Sequence, residues 1–267
     1  MPSLALDHLA SKATDRVRID VISNNAGDTL SLYKDACHQE KSAMNSIQVV
    51  IGPPGCGKST HLLRQAMAQK GKYLFASPTI NLINEQYALI RTEAPNIPVR
   101  PVHSRNGQKG KITRQLDALP KDFASPGHVV AFITHETLMD ADLSSFAGWH
   151  LHIDEAPQAV SCGKLSLSTG WDAFQQMYDL EPVSGAEWSR VRAKKAAPSW
   201  KDVKKDSLWG NHADFIKQVE RPHGVHVRAT NWEEGKDRDL EWFSMWSPLA
   251  QGSFESIHVA GAGYLHS

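Results

Sequence analysis

The sequence is poor in cysteine, with three residues in 267: Cys37, Cys56 and Cys162. They are too few and too scattered for a disulfide framework, and the lack of a Cys-x-x-Cys pair argues against a structural zinc site. This usage fits a reducing compartment. No apolar run approaches the roughly 18–20 residues that span a bilayer. The first 20 residues mix charges with short apolar stretches and lack a signal-peptide core. Charge of one sign is missing too: 29 Lys and Arg balance 29 Asp and Glu. A bulk attraction for nucleic acid is thereby excluded, so any such surface must be a local patch. There are no internal repeats and no low-complexity tracts. Together these absences predict a soluble, cytoplasmic protein with no membrane partner.

What is present is enough chain for one core carrying a large insertion. Residues 1–45 read as an N-terminal extension in which Arg16–Ile22 alternates like a short strand. A turn at Asn24–Asp28 and a helix over Thr29–Met44 are expected after it. From residue 46 to 156 strands and helices alternate. Strands are expected at Ile47–Ile51, Tyr73–Ala76, Ile97–Val102, His128–Ile133 and Trp149–Ile153. Helices are expected near 58–69, 80–91 and 112–119. This pattern predicts an α/β layered domain with a mostly parallel sheet. Residues 157–255 hold most of the tryptophans and many turn residues, and read as a Trp-rich α/β insertion. Ser256–Ala260, in a final segment 256–267, returns to the main sheet.

Gly52-Pro53-Pro54-Gly55-Cys56-Gly57-Lys58-Ser59 matches the P-loop pattern G-x-x-x-x-G-K-[ST] in full, with a strand before it and a helix after it. Glycines let backbone N–H groups turn inward around phosphate oxygens, and the helix start adds its dipole. The expected nucleotide contacts run from Gly52 to Thr60, with Lys58 on the β- and γ-phosphates and the Ser59 hydroxyl on Mg²⁺. Cys56 reads either as an activated thiol or as a small loop filler.

Such a site needs a carboxylate at the end of a neighbouring strand. Asp154 follows the apolar Leu151-His152-Ile153 and is expected to hold Mg²⁺; Glu155 is placed to orient or deprotonate an attacking water. A helix-capping acidic pair is the plainer alternative. Lys58, Asp154 and Glu155 are thus the expected catalytic set. His150 and His152 share one strand face, either as metal ligands or simply accommodated there.

With these residues in place, the sequence resembles the first RecA-like lobe of superfamily 2 helicases, the DEAD/DEAH-box group. Asp154-Glu155-Ala156-Pro157 looks like that family's motif II, and Ala76–Gln86, with its Pro78-Thr79 turn, looks like motif Ia. Ile133–Leu138 resembles the Thr-containing motif that precedes motif II. The resemblance implies an ATP- and Mg²⁺-dependent lobe contacting DNA or RNA backbone through Pro78, Thr79, Thr134 and His135. Thr hydroxyls and helix N-termini suit phosphates and carry no base information. His258–Gly263 stands where motif III belongs, but Ala260-Gly261-Ala262 lacks the family's hydroxyls. The family also has a second RecA-like lobe with arginines for the γ-phosphate. Little chain follows residue 260, so a second lobe or another protomer is the expected partner. A phage-type DNA-packaging ATPase lobe and a non-hydrolysing ATP-binding module are the alternatives.

Within the insertion, Arg190, Arg192, Lys194, Lys195, Lys201, Lys204 and Lys205 interleave with Trp188, Trp200 and Trp209. This pattern suits either a strand-binding surface or a solvated basic face whose tryptophans pack inward. Ser104, Arg105, Lys109 and Lys111 form a looser basic stretch that reads as a solvated loop.

Overall fold

The computed structural model describes residues 19–23, 47–104, 112–167, 170–183, 187–204, 212–233, 239–251 and 254–261. The turn and helix expected between 24 and 44, Cys37, the basic residues at 105, 109 and 111, Lys205, Trp209, and residues 262–263 lie outside them. The chain divides into two compact units. One comprises 1–138, 142–157 and 248–267; the other comprises 139–141 and 158–247.

The first unit is a mixed α/β layer with a sheet of seven strands, all parallel. In chain order its elements are β1 (Ile19–Ser23), β2 (Ile47–Ile51), α1 (Lys58–Ala68), β3 (Lys72–Ser77), α2 (Ile80–Glu93) and β4 (Val99–Pro101). They continue with α3 (Ile112–Asp122), β5 (Val129–Thr134), α4 (His135–Asp140, which runs on into the second unit) and β6 (His150–Asp154). The sheet order is β1-β2-β12-β6-β3-β5-β4, where β12 is Ser256–Gly261. The N-terminal region is therefore not wholly outside the sheet, since β1 forms one of its edges.

Parallel strands buried on both faces need near-continuous apolar runs, and Val129–Thr134 (VVAFIT) has one. On one face Val50, Tyr73, Phe75, Phe132 and Ala260 pack with Leu62, Leu63 and Ala66 of α1 and Ile83 and Ile90 of α2. Each large side chain buried this way contributes about 1.5–3 kcal/mol. The Thr79 hydroxyl caps α2 by accepting from the Leu82 N–H at 3.2 Å.

The second unit holds a five-stranded antiparallel sheet, order β7-β11-β10-β9-β8. These strands are β7 (Val160–Leu165), β8 (Tyr178–Pro182), β9 (Trp188–Ala193), β10 (Val225–Arg228) and β11 (Leu240–Met245). Its helices are α5 (Trp171–Met177), α6 (Trp200–Val203), α7 (Ala213–Glu220) and α8 (Ala229–Glu233). Trp171, Phe174, Phe215, Trp232 and Trp242 form the aromatic centre of its core.

That core dictates a glycine. A Cβ at Gly163 would sit 2.9 Å from Trp242 Cζ2, and the rigid indole has no free end to swing aside. Gly163→Ala is expected to cost about 1–3 kcal/mol through overpacking. An unchanged thermal midpoint would show that the indole does not pack on this strand.

Candidate phosphate loop and acidic site

The loop 52–57 leaves the carboxyl end of β2 and enters α1. Its glycines are structural necessities. Gly55 and Gly57 have φ of 76° and 85°, left-handed values that disfavour a side chain. A Cβ at Gly52 would meet Cys56 Sγ at 2.7 Å. Gly57 caps α1 without a side chain, so no side-chain acceptor covers the helix start. Pro53, Pro54 and Cys56 are exposed around the loop, and Thr60 is half-buried in the first turn of α1.

Lys58 is buried, and its side chain folds back over the loop. Its Nζ donates to the carbonyls of Gly52 and Pro53, both at 2.8 Å, and lies 3.8 Å from Cys56 Sγ. The ammonium is therefore already inside the loop concavity. Carbonyl acceptors of this kind are ones a lysine can exchange for phosphate oxygens.

Asp154 ends β6 on the same sheet edge, because every strand runs the same way. Between β2 and β6 lies β12, whose Ala260 pairs with both Val50 and Asp154. A methyl side chain there leaves room above the sheet. Across that gap the Ser59 hydroxyl donates to Asp154 Oδ1, joining residues 95 apart in sequence. The second carboxylate oxygen accepts from Gln86 Nε2 at 3.0 Å, and Gln86 Oε1 accepts from the Ser77 hydroxyl at 2.8 Å. Ser77, Gln86 and Asp154 are all buried. Burial pushes the Asp154 carboxyl above its usual range. The Ser59 bond works against that shift, Glu155 adds to it, and Gln86 and His135 oppose it.

Gln86 and Ser77 escape the motif reading as site residues. The signal lay in the pattern of α2, where a glutamine occupies an apolar-face position between Ile83 and Ile90. A buried amide there needs partners, and it finds a serine and the strand-end carboxylate.

Glu155 is exposed and has φ 63°, the only non-glycine positive φ among the described residues. A side chain held in this region costs of order 1–3 kcal/mol and tends to mark functional positions. A glycine would relieve the cost but carry no carboxylate.

The four residues expected to contact a nucleic-acid backbone lie at the carboxyl ends of β3 and β5, which are paired at Ser77 and Thr134. Pro78 and Thr79 are exposed. Thr134 Oγ1 lies 3.0 Å from Thr137 Oγ1 and accepts from the Thr137 N–H at 3.2 Å, capping α4. His135 Nε2 lies 2.9 Å from the Asp154 carbonyl oxygen. Burial lowers its pKa despite that carbonyl and the nearby carboxylates. Both threonine hydroxyls thus already serve helix starts, and His135 ties the β5 end to the acidic strand end.

The strand histidines belong to a ring stack. His152 lies 4.6 Å from both Phe75 and His258 and 5.5 Å from Tyr73, which stacks on His150 at 4.9 Å. No group of three or more His, Cys, Asp or Glu able to hold a metal occurs among the described residues. A Mg²⁺ site does not require one, since Mg²⁺ is held by one or two protein oxygens plus phosphates and water. The Ser59 hydroxyl and Asp154 carboxylate, in contact at the loop mouth, are such a donor pair.

The basic stretch of the second unit disperses in three dimensions. Arg192 pairs with Glu181 and Lys194 with Asp179. Trp200 packs against the core, with Lys204 and Lys217 over its ring. No helix among the described residues is long and apolar enough to cross a membrane. No protein-family model, curated protein or solved structure matches this chain.

Proposed function

We propose that the first unit is the nucleotide-binding lobe of a P-loop ATPase of the RecA-like class, working as a DEAD/DEAH-type helicase or nucleic-acid translocase lobe. The observation that carries this reading is the contact between Ser59 and Asp154. In P-loop NTPases the Mg²⁺ ligands are the loop Ser/Thr and a strand-end Asp. Here those two groups meet at the mouth of a glycine loop whose lysine is already turned inward.

The residues then take ordered roles. Backbone N–H groups of Gly52 and residues 55–60, together with the Lys58 ammonium, hold the phosphates, while Pro53 and Pro54 carry no N–H to donate. Ser59 and Asp154 would hold Mg²⁺, which when bound would supply positive charge against the nucleotide phosphates. Gln86 orients Asp154 from behind, and Glu155 orients or deprotonates the attacking water. Pro78, Thr79, Thr134 and His135 occupy the edge where a strand of DNA or RNA would couple to the acidic site. An arginine from a second RecA-like lobe or another protomer completes the γ-phosphate contacts; such arginines are worth about 10³–10⁵ in rate.

Steady-state ATP turnover with and without single-stranded nucleic acid tests this, with Glu155→Gln as the blank. The expected result is Mg²⁺-dependent turnover that the strand stimulates and the substitution abolishes. ATP binding with turnover no higher than the blank, even with strand present, would leave a non-hydrolysing nucleotide-binding module.

A further inference from the structure

The antiparallel sheet of the second unit has two unlike faces. Strand alternation sends Leu240, Trp242 and Ser244 of β11, Val225 and Val227 of β10, and Ser189 and Val191 of β9 into the core. The apolar residues that α5, α7 and α8 bury all join that same core. The intervening residues, Trp188, Arg190, His226, Arg228 and Phe243, fall on the opposite face, where none is fully buried. No helix of this unit among the described residues contributes to that side.

Three flat rings lie together there. Trp188 meets Phe243 edge-on at 4.6 Å, and His226 stacks on Phe243 at 5.3 Å. Arg228 lies over the Trp188 ring at 5.1 Å. The arginines are unevenly neutralised. Arg192 is paired with Glu181 and Lys164 with Glu241. Arg228 and Arg190 form no ion pair among the described residues, although Glu241 and Glu181 lie within their fields. Arg190 instead donates to the Pro222 carbonyl. The two exposed large apolar side chains among the described residues, Val160 and Met245, are register partners on this same face.

We propose that this open face binds single-stranded nucleic acid, with bases against the rings of Trp188, Phe243 and His226 and phosphates against Arg228 and Arg190. Aromatic side chains on an open antiparallel sheet stack two or three unpaired bases, and adjacent arginines serve the backbone. A duplex hides its base faces and gains nothing from the rings. An acidic peptide would use the arginines but leave the rings and the Val160–Met245 end unexploited. The site lies wholly in the second unit and does not rest on the phosphate-loop reading.

The test is fluorescence anisotropy of a labelled oligothymidine of about 20 nucleotides, long enough for one site, titrated with the full chain at low salt without ATP or Mg²⁺. Binding there is decided independently of the loop at 52–59. Trp188→Ala and the exposed Arg228→Glu are each expected to weaken it about tenfold, with circular dichroism matching wild type. Trp188→Phe should restore most of the affinity, and a duplex of equal length should bind more weakly. The proposal is overturned if the wild type does not bind. It is overturned equally if both variants bind as the wild type does, placing the strand elsewhere. Competition by polyglutamate as effective as that by the oligonucleotide, with only the arginine variant impaired, would replace it by an acidic protein partner.

Discussion

Asp154→Asn is expected to lower Mg²⁺-dependent ATP turnover by about a thousandfold, the scale of losing one preorganised charge contact at a reacting phosphate, while the fold survives. The side chain is 4 % exposed and its two oxygens accept from Ser59 and Gln86. Asparagine keeps the volume but turns one acceptor into a donor and removes the charge that Mg²⁺ requires. Burial already disfavours that charge, raising the carboxyl pKa, so the neutral amide imposes no new desolvation cost. Because the folded pKa is raised, protons compete for Asp154 at a higher pH than for an ordinary aspartate. Mg²⁺ and ATP affinity should therefore begin to decline on acidification at a higher pH than an ordinary aspartate would dictate. Turnover within tenfold of wild type in the asparagine variant would remove Asp154 from the proposed Mg²⁺ site.

Acid should unfold the first unit by a route that its histidines define. Burial depresses the His258 pKa to about 4, with His150 adding repulsion, and His152 is held well below its ordinary value by burial and by both neighbours. The folded protein thus takes up the His258 proton only near pH 4, whereas the unfolded chain takes it up near pH 6.5. Stability is full above the unfolded value and is lost as pH falls from there toward the folded value. His258, 8 % exposed, accounts by itself for about 3 kcal/mol of that loss. A drop of about 10 °C in thermal midpoint between pH 7 and pH 4.5 follows for a unit of this size. His258→Phe keeps a ring beside His152 and should flatten much of the slope. A wild-type midpoint equal at both pH values would mean that these imidazoles are not buried neutral.

Much of the first unit was legible because its signals are local. The apolar run at 129–134, the glycine spacing at 52–57 and the Pro78-Thr79 turn each constrain only a few neighbouring residues. Strand ends fell within a residue or two for β2, β3, β5, β6 and β12. The basic and tryptophan-rich stretch was not legible in the same way. Proximity in sequence grouped Trp188 with Trp200, but strand alternation and the α6 turn send one to the open face and the other against the core.

Sequence alone determined that a glycine loop with Lys58 and Ser59 opens a helix, and that Asp154 and Glu155 end an apolar strand. Backbone conformational needs and apolar periodicity are properties of a short segment, so a short segment reports them. Only the tertiary structure decided that β12 lies between β2 and β6 with Ala260 leaving the gap that Ser59 and Asp154 cross. It also decided that Gln86 reaches Asp154 from α2, and that Trp188, His226 and Phe243 share one sheet face. Strand order and register arise from packing between segments far apart in the chain, and no short run of residues carries that information.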